Sequence, residues 1–390
     1  MAIIPNGLMI SEIVAQRLTM RVLHFYKTHL PDSWGGTQSF IHQLAHGTAQ
    51  RGHIVDVLIL SRELPPRPLT VANYTVHPAS LSFEVASTGF SLSVFKKFAE
   101  LANQADVIHY HFPWPFMDVV HFATRVTKPS LVTYHSDIIR QRHALKLYRP
   151  LKRRFLQSVN RIVATSPNYF ATSEVLQRYQ SKTSVIPIGI DRSVYPEPSD
   201  ASLDRWRARV GGRFFLFVGM LRYYKGLHIL LDAVSGTNLP VVIVGSGPVE
   251  QELRKHALRL SLSNVLFLGA LPEEDKAALL ALCFAVVFPS HLRSEAFGIS
   301  LLEGAMFGKP MISSEIGTGT TFVNIGGETG LVVPPSDSDS LRQAMTYLVE
   351  HPDEAAQMGH RARRRYETLF TADIMVEKYL DLYGDMLAGS

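Results

Sequence analysis

Residues Pro289 to Pro310 read PSHLRSEAFGISLLEGAMFGKP. The apolar run Phe284 to Phe288 ends just before them as a strand would. A polar loop follows, and the pattern predicts a helix opening near Ala296 and closing at Gly308, ahead of Pro310. Two carboxylates, Glu295 and Glu303, stand eight residues apart, one in the loop and one inside the helix. At a helical rise of about 1.5 Å per residue they are at most about 12 Å apart, roughly the reach from the sugar to the ribose of a nucleotide-sugar. Between them lie the free N–H groups of a helix N-terminus, and Gly298 has no side chain to keep a ligand away. Carboxylates that accept from hydroxyls, beside backbone donors aimed at oxygen, make a polyol site. On this stretch alone the alternative stays open that Glu295 is a helix cap and Glu303 a solvated helix residue.

The whole chain has 390 residues, too many for one ordinary core and suited to two domains. A hydrophobic content of 46% against 19% charged excludes disorder. One cysteine, Cys283, excludes a disulfide framework and a cysteine-rich metal site and favours a reducing cytoplasm. No run of 18 apolar residues occurs, so no spanning helix is expected. The first 19 residues lack a basic start and are broken by Asn6, Ser11 and Glu12, which argues against a secretory signal; a start-site extension is the simplest account, and a weak amphipathic surface helix the alternative.

Net charge is only +5, but Arg140 to Arg161 carries eight Lys or Arg and no acid. Such a block wants an anionic neighbour. Leu145, Leu147, Leu151, Phe155 and Leu156 interleave with the charges, which suits a helix lying on an anionic membrane, with Arg149, Lys152, Arg153 and Arg154 at the surface. A plain basic surface helix is the alternative, and nucleic acid is not expected as a partner.

From Met20 short apolar runs alternate with helical patterns: strands at 21–26, 54–60, 74–77, 106–111, 130–134, 161–165 and 184–187, helices at 36–51, 91–104, 116–127 and 167–178. A polar, proline-bearing stretch then breaks the rhythm, and alternation restarts at Phe214 and runs to Val333, with three helices to finish. Both halves read as doubly wound parallel sheets. The expected α/β architecture is two Rossmann-like domains, 20–192 and 213–370, joined by a linker at 193–212 and facing a cleft. A final helix near 371–388 is expected to pack back on the first.

In that order the chain resembles the retaining glycosyltransferases of family 4, which have the GT-B fold, from Met20 to its end. The resemblance rests on seven motifs: WGG at 34–36, IPIGID at 186–191, VGMLRYYKG at 218–226, VGSGP at 244–248, EAFGISLLE at 295–303, GKP at 308–310 and TGLVVPP at 329–335. It implies that Glu303 accepts from the ribose hydroxyls, and that Glu295, with the backbone of Phe297, Gly298 and Ile299, grips the sugar. Arg222 and Lys225 would hold the diphosphate and stabilise the charge it gains on leaving. Met220 stands where the family usually has an arginine. Gly245 is read as a tight turn that lets backbone approach the donor, and Gly35 and Gly36 as an anion-accepting turn. His135 matches the family's cleft histidine, expected to position and stabilise. A redox cofactor and a metal are not expected.

Two short patterns compete for attention. Asp337 and Asp339 form a DxD better explained as helix caps. His109 and His111 form an HxH with no third ligand at a recognisable spacing. By resemblance the expected activity is transfer of mannose or rhamnose from a GDP-sugar to a lipid-linked glycan in bacterial surface polysaccharide assembly, at the inner face of the membrane. The rivals are a nucleotide-sugar 2-epimerase of the same fold and a catalytically silent glycan-assembly partner.

Overall fold

The computed structural model describes residues 19–389 apart from 34, 64, 66, 86, 87 and 139–141. Nearly all of the leading segment and Trp34 of the WGG loop therefore lie outside the described residues.

The first unit is built on strands β1 (Arg21–Phe25), β2 (Ile54–Ser61), β3 (Leu69–Val71), β4 (Tyr74–Ser80), β7 (Val107–Phe112), β8 (Ser130–Tyr134), β9 (Arg161–Ala164) and β10 (Thr183–Val185), with a separate hairpin of β5 (Phe83–Val85) and β6 (Thr88–Phe90). The sheet order is β10-β9-β8-β7-β1-β2-β4-β3, and only β3 runs antiparallel. The second unit holds β11 (Phe215–Val218), β12 (Val241–Val244), β13 (Val265–Gly269), β14 (Ala285–Phe288), β15 (Met311–Ser314) and β16 (Gly330–Val333), all parallel in the order β13-β12-β11-β14-β15-β16. Strands such as Val107–Phe112 and Ala285–Phe288 are buried along their whole length, as parallel strands covered by helices on both faces must be.

In each sheet the chain order reverses at one place, between β1 and β7 and between β11 and β14. A crevice opens there at the C-terminal strand ends, because the two flanking connections leave to opposite faces. The loops that enter these crevices are the glycine turn after β1, VGMLRYYKG after β11 and PSHLRSEAFG after β14. The fold thus gathers at one cleft the segments that the sequence marked out.

The decisive helix is shorter than its pattern suggests, Ile299–Met306. Gly298 sits at φ +93°, a left-handed conformation that cannot continue a helix turn, so Ala296 and Phe297 stay in the loop. The stretch read as a linker also differs: Asp200–Val210 is a helix, capped by Ser199 and packed on the helix Glu273–Leu282. Trp206 there is buried and donates from Nε1 to Asp275 at 2.9 Å. Residues 167–178 form two short helices, Pro167–Thr172 and Glu174–Gln177, parted at Ser173.

The chain crosses between the units twice. After Ile190 it enters the second unit, and at Thr371, bridged to Ile190, it returns. The helix Ala372–Ala388 then packs on Gly36–Gln50 of the first unit, where Arg51 pairs with Asp373 at 2.8 Å and Glu377 at 2.5 Å. At this crossing a Cβ on Gly189 would lie 2.2 Å from the carbonyl oxygen of Thr371, backbone against backbone. Gly189→Ala is therefore expected to destabilise the protein by about 2 kcal/mol or more, because the returning segment has to move. Urea unfolding measures this, and an unchanged midpoint would show that the crossing is looser in solution than in the structure.

Candidate active site

A cleft of about 1240 Å³ separates the two sheets. It is lined by Gly35, Gly36, His135, Arg222, Lys225, Gly245, Glu295, Phe297, Gly298, Ile299 and Glu303, so the structure brings these sequence candidates together from both units.

Two helices begin in it. Gly36–Gln50 starts from Gly35 and Ile299–Met306 from Gly298, and neither has a side-chain cap or an acidic residue in its first turn. Their first amides have no intrahelical acceptor and carry the positive end of each helix dipole. A Cβ on Gly36 would stand 3.4 Å from Ile299 Cδ1, so the two N-termini meet across the cleft. Ser300 ties the second of them to its sheet by donating from Oγ to the Val218 carbonyl at 2.7 Å.

Lys225 Nζ lies 2.5 Å from Glu295 Oε2, with both side chains nearly buried and the ammonium 4.5 Å from the Phe288 ring centroid. Each neutralises the other and fixes its position. Arg222 is exposed, and its Nε donates to Met220 Sδ at 3.0 Å. Glu303 is buried, its Oε1 accepting from the Tyr195 hydroxyl at 2.9 Å and from Lys276 Nζ at 3.0 Å. Lys27 also lines the cleft, near Glu84 and Arg222, and burial pulls its ammonium below the usual lysine range.

The glycines do different work. A Cβ on Gly245, at φ +131°, would sit 2.0 Å from the Gly219 carbonyl oxygen, and one on Gly247 would sit 2.4 Å from that of Leu221. Glycine is required there because two strand ends press backbone on backbone. Phe297 lines the cleft but is buried, with its ring centroid 6.2 Å from that of Phe370.

His135 follows β8 and is buried at the cleft floor. Its Nε2 lies 3.2 Å from His111 Nδ1, and His111 Nε2 lies 3.0 Å from His24 Nδ1. The third histidine missing from the HxH pattern is thus His24, paired in register with His109 across β1 and β7. Nitrogens of His24, His109 and His111 all lie within 4.8 Å of one another. His109 gives one nitrogen to the Tyr383 hydroxyl at 2.8 Å and the other to Thr133 Oγ1 at 2.7 Å. Asp337 caps Ser338–Glu350, accepting from the Ser340 amide at 2.9 Å.

The basic helix Arg142–Ser158 requires a correction. Lys152 is buried, facing the charges of Asp137 and Asp118, and Phe155 and Leu156 lie in the core of the first unit. The helix has an inner face that the run of charges conceals. Arg149, Arg153, Arg154 and Leu147 are exposed.

Sequence reasoning missed Lys276, Tyr195, Lys27 and Glu84 at the cleft, and His24 beneath it. Only the strand order could have found His24, since it alone sets RVLHF beside VIHYHF.

Residues 34–194 match the family model described as Glycosyltransferase Family 4, and residues 200–365 match Glycosyl transferases group 1. The chain is 62% identical over 353 residues to D-rhamnosyltransferase WbpZ of Pseudomonas aeruginosa, covering 90% of this chain and 93% of that protein. It is 50% identical over 368 residues to O-antigen chain mannosyltransferase C of Escherichia coli, covering 94% and 99%. Among solved structures, sucrose-phosphate synthase from Thermosynechococcus elongatus superposes with a TM-score of 0.78 at 22% identity, covering 95% of this chain and all of that one. WaaG, a glycosyltransferase involved in lipopolysaccharide biosynthesis, gives 0.68 at 17% identity, covering 93% and 99%.

The buried histidines give the fold a pH dependence. Burial lowers His24 and His135 to about 3, far under the ordinary value of about 6.5, so both are neutral in the fold. Below pH 6.5 the unfolded chain binds protons that the folded one refuses, so stability is full above that pH and falls as the pH drops from 6.5 toward 3. At pH 5 each group is expected to cost about 2 kcal/mol. The urea midpoint should therefore fall markedly between pH 7.5 and pH 5, and a constant midpoint would mean that these rings accept protons in place.

Proposed function

The chain belongs to the group 1 and family 4 glycosyltransferases and has their GT-B fold, and from that premise we propose that it moves mannose or rhamnose from a GDP-sugar to a lipid-linked glycan in O-antigen assembly. The observation that carries the reading is the meeting of two uncapped helix N-termini, from separate units, beside Lys225, Glu295 and Glu303. Uncapped amides suit a diphosphate, and carboxylates in reach of them suit sugar hydroxyls. The choice of sugar and of glycan rests on the two relatives, whose names specify D-rhamnose, mannose and O-antigen.

In this reading the diphosphate lies between the amides at Gly36 and those following Gly298. Arg222 and Lys225 stabilise the negative charge it gains as its bond to the sugar C1 breaks. The acceptor hydroxyl oxygen forms the new bond to C1 on the same face, which retains the anomeric configuration, and its proton passes to the departing phosphate oxygen. Glu295 Oε1 takes the sugar hydroxyls, its Oε2 being held by Lys225. Glu303 Oε2 takes the ribose, with Oε1 anchored by Tyr195 and Lys276. The positive charge comes from side chains and helix ends, so the proposed transfer is independent of metal.

Thermal stabilisation against GDP, UDP, ADP, dTDP and CMP, with and without EDTA, tests this. A shift with GDP alone that EDTA leaves unchanged is expected, and a shift with UDP alone would overturn the donor assignment.

No helix among the described residues is long and apolar enough to cross a membrane. We propose peripheral contact with the inner face of the membrane through Arg149, Arg153, Arg154 and Leu147, which is 87% exposed. At about 1 kcal/mol per basic residue, reversing the three arginines to glutamate should weaken binding to anionic liposomes about 100-fold or more. Unchanged co-sedimentation would remove the helix as the contact.

A further inference from the structure

Three imidazoles in a row, buried side by side, have to agree about where their protons sit. His24 Nδ1 to His111 Nε2 is 3.0 Å and His111 Nδ1 to His135 Nε2 is 3.2 Å, so each contact holds one proton and is donated from one side. A neutral imidazole has a single N–H, and two arrangements result. Either every ring donates toward His135, or every ring donates toward His24.

The far end of the chain separates the two. His24 Nε2 is buried and has no hydrogen-bond partner among the described residues. If the rings donated toward His24, that nitrogen would carry a hydrogen with no acceptor, the kind of buried donor that folded proteins nearly always avoid. If they donate toward His135, His24 Nε2 carries only a lone pair. His24 is then protonated on Nδ1, His111 on Nδ1, and His135 accepts at Nε2 and holds its own hydrogen on Nδ1.

Neighbouring groups leave this chain undisturbed. His109 stacks on His111 with ring centroids 4.4 Å apart but spends both nitrogens on Tyr383 and Thr133. Phe40 sets its ring edgewise to both His111 and His135. Burial keeps His24 and His135 neutral, and it lowers His111 as well.

We propose that His24 and His111 are positioning residues that lock His135 in its Nδ1–H tautomer and so make it a hydrogen-bond donor to the cleft. The inference rests on the reading of the cleft as a donor-sugar site. It adds that His135 offers N–H to an oxygen of the bound donor, and that it cannot serve as the base, because its one lone-pair nitrogen is already occupied by His111. The acceptor proton must leave by another route, as transfer to the departing phosphate provides.

The test is nitrogen-15 NMR of the full chain labelled at histidine, at pH 7.5, with His135 assigned through His135→Gln. A proton-bearing Nδ1 and a pyridine-type Nε2 on His135 are expected. A proton on Nε2, an imidazolium, or stoichiometric metal in the purified protein by elemental analysis would each overturn the lock. The spectrum reads the tautomer whether or not the donor assignment holds, so the two failures are distinguishable. His24→Phe removes the donor at the head of the chain and is expected to mix the His135 tautomers and lower kcat about tenfold with little change in KM. His24→Asn, whose amide nitrogen can stand in for Nδ1, is expected to restore the single tautomer. If both variants lower kcat alike with the tautomer unchanged, His24 only fills space.

Discussion

A helix cannot satisfy its own first amides, and in this protein two helices start at the cleft with glycine where a capping side chain would stand. That pair of unmet demands organises the rest. Gly35 and Gly298 leave the amides open, Ser300 pins one helix to its sheet, and the crowded strand ends at Gly219 and Gly245 hold the loops between them. The ion pair Lys225–Glu295 and the anchored Glu303 then stand at the rim of a ready-made anion site. A capping aspartate at either start would fill the site with the protein's own charge.

The fold was legible because parallel strands covered on both faces are written as short unbroken apolar runs, and this chain has them in regular succession. The cleft candidates were legible for a related reason: loops after β11 and β14 lie at the switch point, and their glycines, carboxylates and lysine are local in sequence. What stayed hidden depends on contacts between distant segments. Lys276 and Tyr195 reach Glu303 from another helix and from the crossing segment, with no spacing rule to connect them. His24 gains its meaning only when β1 lies next to β7.

The basic helix failed in part for a different reason. A run of charges says nothing about which member turns inward, and Lys152 does so because Asp118 and Asp137 lie beneath it. The same segment buries Phe155 and Leu156, so its apolar residues serve the core and leave Leu147 outside with the arginines. The helix is amphipathic toward its own protein first.

The helix Ala372–Ala388 supplies the hydroxyls that hold the floor of the cleft from below: Tyr383 to His109 and Tyr379 to Thr133, each at 2.8 Å. These partners are 274 and 246 residues apart along the chain. During synthesis, the first sheet emerges from the ribosome with its histidines facing a gap, and the entire second unit is made before the tyrosines that close it. Local contacts can assemble the second unit as it appears, whereas the first waits on pairings that span most of the chain. The unit encoded first is the one completed last.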